Sequence, residues 1–315
     1  MSDMTPATTP VPNDDARTDR GAQTYGDAQT YGDARTGGNA RTGGTAGTAA
    51  RTDTDTDARV LVERRGHLLL IGLNRPDKRN AADARMLGEL SSAYGLLDRE
   101  HELRVGVVYA VGEHFTAGLD LADIGPRVQA GTLEIVPPDG LHPWQVDGTQ
   151  LSKPVVLAVQ GICFTLGIEL ALASEIVVAA EGTRFAQLEV SRGILPFGGA
   201  TTRFAKTAGW SNAMRWVLTG DEFDAEEARR LGLVQDIVPH GQQLEHAIAL
   251  AERIAAQAPL AVQAALQNAK LAQRGPDAEA EAQLPALLAR LSASHDARIG
   301  MEAFLTRTTP QFEGR

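Results

Sequence analysis

Two glutamates stand close in the chain, each beside a glycine-bearing turn. Glu169 closes the run Gly161-Ile-Cys-Phe-Thr-Leu-Gly-Ile-Glu169, and Glu189 opens Glu189-Val-Ser-Arg-Gly-Ile-Leu-Pro-Phe-Gly-Gly199. A carboxylate and a carboxylic acid placed together can take a proton from water and give one to carbon. Two carboxyls in one dry pocket do not both ionise freely, so a perturbed pKa is expected for at least one of them.

Such a pair works only if strands and helices place it. Residues 59–63 and 67–73 are β-rich runs separated by Arg-Arg-Gly and read as a hairpin. Residues 74–80 form a loop broken by Pro76, and Met86, Leu87, Leu90, Ala93, Tyr94 and Leu97 give residues 81–99 a helical spacing. Buried-type strands follow at 104–110, 154–160 and 175–180. Helices follow at Ala200, 211–218, 225–231 and 243–257, with Pro259, Pro276 and Pro285 punctuating further helical pieces. Strand and helix alternate, which makes the class α/β. Residues 121–153, with Pro126, Pro137, Pro138 and Pro143, read as a long loop of the lid or pocket-wall kind.

Two turns after strands carry further chemistry. In Gly112-Glu-His-Phe-Thr-Ala-Gly-Leu-Asp-Leu121, Gly118 permits a tight turn that aims the Leu119 amide outward, and Asp120 can cap a helix. In the second turn a helix opens near Leu166, where unpaired N–H groups and the helix dipole favour negative charge. Each piece has an ordinary reading when taken alone: a strand-to-helix turn, a glutamate complementing a helix dipole, a surface glutamate on a loop. Taken together, two backbone donors can hold one oxyanion while two carboxyls hold a water and move protons. That is the set needed to stabilise a thioester enolate and to add or remove water beside it.

The sequence resembles the crotonase superfamily, the enoyl-CoA hydratase/isomerase fold, over residues 58–315. The resemblance rests on Leu73-Asn-Arg-Pro-Asp-Lys-Arg-Asn-Ala81, Phe115-Thr-Ala-Gly-Leu-Asp-Leu121, Val155-Val-Leu-Ala-Val-Gln-Gly161 through Glu169, and Phe185 through Gly199. Leu218-Thr-Gly-Asp221, Ala225 to Val234 and Gly300-Met-Glu-Ala-Phe304 complete it. It implies a spiral of ββα units over residues 58–257 and a helical C-terminal region, 258–315, that packs trimers often doubled to hexamers. It implies Leu119 and Leu166 as the oxyanion-hole amides, and Glu169 and Glu189 as the catalytic acids. Lys78, Arg79, Ala81, Ala117, Asp120 and Leu121 would border coenzyme A, and Phe304 would reach the coenzyme A site of a neighbouring subunit. Coenzyme A then belongs to the substrate, and no separate cofactor is expected.

Keeping both glutamates favours hydration of an enoyl-CoA, since relatives that isomerise, decarboxylate or hydrolyse usually lack or move one. The alternatives are double-bond isomerisation, C–C hydrolysis, or a non-catalytic acyl-CoA-binding scaffold. Leu119, Phe164-Thr-Leu-Gly and Phe197 depart from the small residues frequent at these places, so a narrower, more apolar acyl pocket is expected. Cys163 reads as a core residue behind the turn and Glu175 as structural; His142 and Trp144, in the lid-like loop, read as solvent-facing residues, with contact to substrate as the alternative.

Composition bounds the rest of the 315-residue chain. Residues 1–57 are Thr-, Ala-, Gly-, Asp- and Arg-rich and carry a six-residue near-repeat from Ala16 to Thr45. With almost no large apolar side chain, this stretch reads as a disordered tail. A net charge of −10 argues against a nucleic-acid partner. No apolar run is long enough for a membrane span, and the polar N-terminus has no secretory h-region. One cysteine and seven scattered histidines suggest neither a disulfide nor a metal site, and a reducing cytoplasmic setting is expected.

Overall fold

A computed structural model describes residues 57–315; the repeat-bearing tail lies outside the described residues but for its last position. The chain runs β1 (Val60–Arg65), β2 (Leu68–Leu73), α1 (Ala84–Arg99), β3 (Val105–Ala110), α2 (Leu121–Gln129), β4 (Val155–Val159), β5 (Ile162–Phe164), α3 (Leu166–Ala173), β6 (Ile176–Ala180) and β7 (Arg184–Ala186). It continues with α4 (Ala200–Ala208), α5 (Trp210–Thr219), β8 (Glu222–Asp224), α6 (Ala225–Arg230), β9 (Asp236–Val238), α7 (Gln243–Ala255), α8 (Pro259–Arg274), α9 (Asp277–Ser292) and α10 (His295–Thr306). Single 3₁₀ turns lie at Pro76–Lys78 and Glu189–Arg192.

A six-stranded sheet has the order β1-β2-β3-β4-β6-β9. Only the β1–β2 hairpin is antiparallel, with Val60 opposite Leu73 and Arg65 opposite Leu68. The remaining neighbours are parallel. Parallel strands covered on both faces need near-continuous apolar runs, which β2, β3 and β4 supply. Alternate side chains serve opposite faces. Leu69, Ile71, Val155 and Leu157 enter the main core, while Leu68, Leu70, Val156 and Ala158 pack under Ala247, Ile248 and Ala251 of α7. Asp83 caps α1 by accepting from the Met86 amide at 2.8 Å, and the helix buries Met86, Leu87, Leu90, Tyr94 and Leu97.

A second sheet, β5-β7-β8, lies beside the first. β4 and β6 each hand the chain directly to this smaller layer, to β5 and β7. β4 passes to β5 through Gly161 at φ +63, where a Cβ would sit 2.1 Å from the Glu113 carbonyl oxygen. Only glycine fits there.

Two expectations change, and four short strands are added. Residues 121–153 are not all loop, because α2 occupies Leu121–Gln129. Pro126 removes one internal bond, but the Asp120 cap and the burial of Ile124 hold the helix. Pro285 likewise lies inside α9 rather than ending it. The three-residue strands β5, β7, β8 and β9 were not legible from periodicity, because so few residues carry no pattern.

Candidate active site

The first turn is held by a dense set of bonds. The Thr116 amide donates to the Ile162 carbonyl at 3.1 Å, and the Phe164 amide donates to the Thr116 carbonyl at 3.0 Å. The Ala82 amide donates to the Gly118 carbonyl at 2.8 Å, and the Asp120 amide to the Ala82 carbonyl at 2.9 Å. This parallel bridge leaves the intervening Leu119 amide pointing away from Ala82, with no acceptor among the described residues. Asn80 supports the bend from below. It donates to the Val111 and His114 carbonyls at 3.0 and 2.8 Å and accepts from the Arg75 amide at 2.7 Å.

The second turn lies against the first. Leu166 is the first residue of α3, so its amide has no intrahelical acceptor. Thr165, just before it, has φ 51 and ψ −111, a region that a β-branched residue adopts only under constraint. Its amide donates to the Ala186 carbonyl at 2.8 Å, and its carbonyl accepts from the Glu169 amide at 3.1 Å. Gly118 and Thr165 touch so closely that a Cβ on Gly118 would sit 2.2 Å from Thr165 Oγ1. The Leu119 and Leu166 amides therefore belong to adjoining turns.

Glu169, on the first turn of α3, is 1% exposed, and Glu189, on the second 3₁₀ turn, is 5% exposed. Glu169 Oε1 accepts from the Ala200 amide at the start of α4, at 3.1 Å. Glu189 Oε1 accepts from Gln187 Nε2 at 3.0 Å. The other oxygen of each carboxyl is buried without a hydrogen-bond partner. Burial pushes the Glu169 carboxyl up to about 7, against the pull of the Ala200 amide and with a further push from the charge of Glu189. Burial also raises Glu189, against its own backbone amide, Gln187 and Arg192. Gly198 backs the Glu169 carboxyl so closely that a Cβ there would lie 2.6 Å from Oε2.

An apolar space of about 10 Å³ lies behind Leu166, lined by Met86, Leu87, Leu90, Phe115, Trp144 and Leu170 among others. That is at the lower limit for one water, so this space is nearly filled by its own lining. Trp144 was expected to face solvent; instead it is 3% exposed, and its indole donates to the Leu166 carbonyl at 2.9 Å. Phe197 is 45% exposed and lines a separate cavity of about 1230 Å³ between α3, α4 and α8. It does not line the space behind Leu166. Lys78 and Arg79 are exposed on the loop after β2, with Arg79 in left-handed conformation at φ 52; Ala81 and Ala117 are half-buried. Asp120 accepts from Arg75 at 2.8 Å, which holds its carboxyl below the usual range. Leu121 is 43% exposed, and Phe304, on α10, is 79% exposed. Cys163 is fully buried, and burial pushes its thiol well up. Glu175 accepts from the Val155 amide at 2.7 Å and pairs with Lys270 at 3.0 Å, a structural use.

Sequence reading missed Trp144, Gln187 and Arg203 as parts of the site. Gln187 had one usable signal, its place two residues before Glu189. Trp144 had only its place in the lid-like loop, and Arg203 had none, since both act on partners far along the chain.

A two-layered sheet spiral with two unpaired amides beside two buried carboxyls defines a crotonase-type, thioester-handling protein. The family model described as enoyl-CoA hydratase/isomerase matches residues 63–315, and the chain belongs to that family. It is 35% identical over 256 residues to a 2,3-dehydroadipyl-CoA hydratase of Escherichia coli, covering 81% of this chain and 99% of the relative. It is 32% identical over 271 residues to an enoyl-CoA hydratase of Mycobacterium tuberculosis, covering 84% and 100%. A solved probable enoyl-CoA hydratase/isomerase of Mycobacterium abscessus is 56% identical with TM-score 0.79, over 82% of this chain and 99% of that one. The chain is a hydratase-like lyase acting on an acyl-CoA. Among the described residues, no helix is long and apolar enough to cross a membrane.

Proposed function

We propose that the chain adds water reversibly and in syn fashion across the 2,3 double bond of an enoyl-CoA. Ionised Glu169 takes a proton from water as the oxygen bonds to C3. The π electrons pass to the thioester oxygen, which the Leu119 and Leu166 amides stabilise as an enolate. Protonated Glu189 then delivers its proton to C2, and the carbonyl re-forms. One proton moves from Glu169 back to Glu189 to reset the pair. No cofactor enters the balance.

One observation carries this reading: each glutamate has one carboxyl oxygen anchored and the other buried without a partner. A purely structural pair would use both oxygens. The test follows loss of enoyl-thioester absorbance and gain of water mass with Glu169→Gln and Glu189→Gln. Each change is expected to slow hydration roughly 10²- to 10⁴-fold. Undiminished hydration by Glu189→Gln would overturn its role as acid, and an absorbance change without mass gain would indicate isomerisation.

The substrate panel should include 2,3-dehydroadipyl-CoA, the thioester in the name of the Escherichia coli relative. Lys78, Arg79, Ala81, Ala117, Asp120 and Leu121 are assigned to the coenzyme A side, and Phe197 to the acyl approach. Association into trimers or hexamers through residues 258–315 is supported by Leu284, Leu288, Met301 and Leu305, apolar and exposed on α9 and α10. Phe304 would then meet a neighbour's coenzyme A. Light scattering in solution tests the assembly. A cytoplasmic setting fits a coenzyme A thioester substrate.

A further inference from the structure

Arg203 sits on α4, one turn after the Ala200 amide that holds Glu169. Its Nη1 donates to the Trp144 carbonyl at 2.6 Å and to the Gly198 carbonyl at 3.2 Å, and its Nη2 donates to the Gln145 carbonyl at 2.9 Å. The guanidinium thus spends its planar fork on backbone carbonyls rather than on an acid. Two of those carbonyls are consecutive and belong to a strained turn, since Gln145 has φ 49. The same turn places the Trp144 indole on the Leu166 carbonyl. The third carbonyl belongs to Gly198, which backs the Glu169 carboxyl. Gly199, at φ +107, leaves room for the fork, because a Cβ there would lie 2.8 Å from Nη1.

We propose that Arg203 is a positioning residue for the hydration: it clamps the Trp144–Gln145 turn to the Gly198 loop and so keeps the Leu166 amide and the Glu169 carboxyl in register. The clamp spans the two parts of the site that act at different atoms, the oxyanion donor and the base. It does not touch substrate. The inference rests on the assignment of Glu169 as base.

The guanidinium also carries charge beside that base. The groups acting on the Glu169 carboxyl are the Ala200 and Gly198 amides and Arg203, which favour ionisation, and Glu189, which opposes it. Arg203 itself is faced by Arg274 of α8, by Glu169 and by His142 of the loop it clamps. Removing the Arg203 charge therefore raises the Glu169 pKa further, so the acid limb of the kcat/KM profile moves to higher pH.

The experiment compares Arg203→Gln, Arg203→Lys and Trp144→Phe in the full chain, with kcat, KM, pH profile and thermal melting measured for each. Glu169→Gln is run beside them. All three are expected to lower kcat roughly 10- to 100-fold through misplacement of the reacting groups, with KM changed far less. Only Arg203→Gln is expected to move the acid limb upward, because lysine keeps the charge and Trp144 has none. Arg203→Gln with wild-type kcat and an unmoved limb overturns the proposal, as does a kcat loss in Arg203→Gln matched only by loss of folded protein in the melt. If Arg203→Gln does not fold, Arg203→Lys and Trp144→Phe decide, and wild-type kcat in both overturns it. A fully active Glu169→Gln would instead overturn the assignment of the base, whatever the Arg203 variants do.

Discussion

Replacing Glu169 with glutamine separates the chemistry of the acid from its electrostatic cost to the fold. Burial lifts this carboxyl from the ordinary value of 4.5 to about 7. Below about pH 4.5 it is protonated in the folded and unfolded chains alike. Between that pH and about 7 the unfolded carboxyl ionises while the folded one resists, so stability present in acid is withdrawn as pH rises. With 1.36 kcal/mol per unit, the full loss is about 3 kcal/mol. Glutamine never ionises and keeps an oxygen for the Ala200 amide. The variant is therefore expected to be slowed as above yet more stable than the parent at about pH 8.5, by roughly 6–12 °C in Tm for a chain of this size, and nearly equal to it at about pH 5. Melting both proteins across that range by calorimetry checks the claim. A Tm difference that stays constant with pH, or that favours the parent in base, would refute the argument that burial holds Glu169 above its ordinary pKa.

Other outcomes follow from the two turns and the structural acid. Gly118→Ala places a Cβ against Thr165 Oγ1 at a backbone φ of +101; it is expected to displace the Leu119 amide and lower kcat about 10²-fold with little change in KM, read by steady-state kinetics. Thr165→Gly removes a β-branched side chain from φ 51; relief of strain less the added chain entropy should raise stability by about 1 kcal/mol, read from the urea midpoint. Glu175→Ala deprives Lys270 and the Val155 amide of their acceptor; it is expected to lose about 3 kcal/mol in the same assay.

The elements that frame the site were legible because each carries a local pattern. Leu68 to Leu73 alternate between two cores, and Met86, Leu87, Leu90 and Leu97 follow the helical period of α1. The catalytic segments were legible as glycine turns next to acids, and through their resemblance to a family. β5 and β7, which align the two turns, were not, because three residues set no period. Trp144 read as a solvent-facing residue because proline-rich surroundings have no periodicity to reveal a buried indole.

By itself, then, the sequence determined the alternating strands, the helical spacing from Met86 to Leu97, the tight turn at Gly118, and the presence of two acids at fixed places. These depend on φ, side-chain period and nearest neighbours, all of which are local. Only the tertiary structure decided that the Leu119 amide has no acceptor, that each glutamate leaves one oxygen unpartnered, and that burial raises both carboxyls. It also decided that Trp144 reaches Leu166 and that Arg203 reaches back to Trp144, across sequence separations of 22 and 59. Hydrogen bonds of that span and the desolvation of a carboxyl arise from packing. No local run of residues encodes them, because each depends on what the rest of the fold brings alongside.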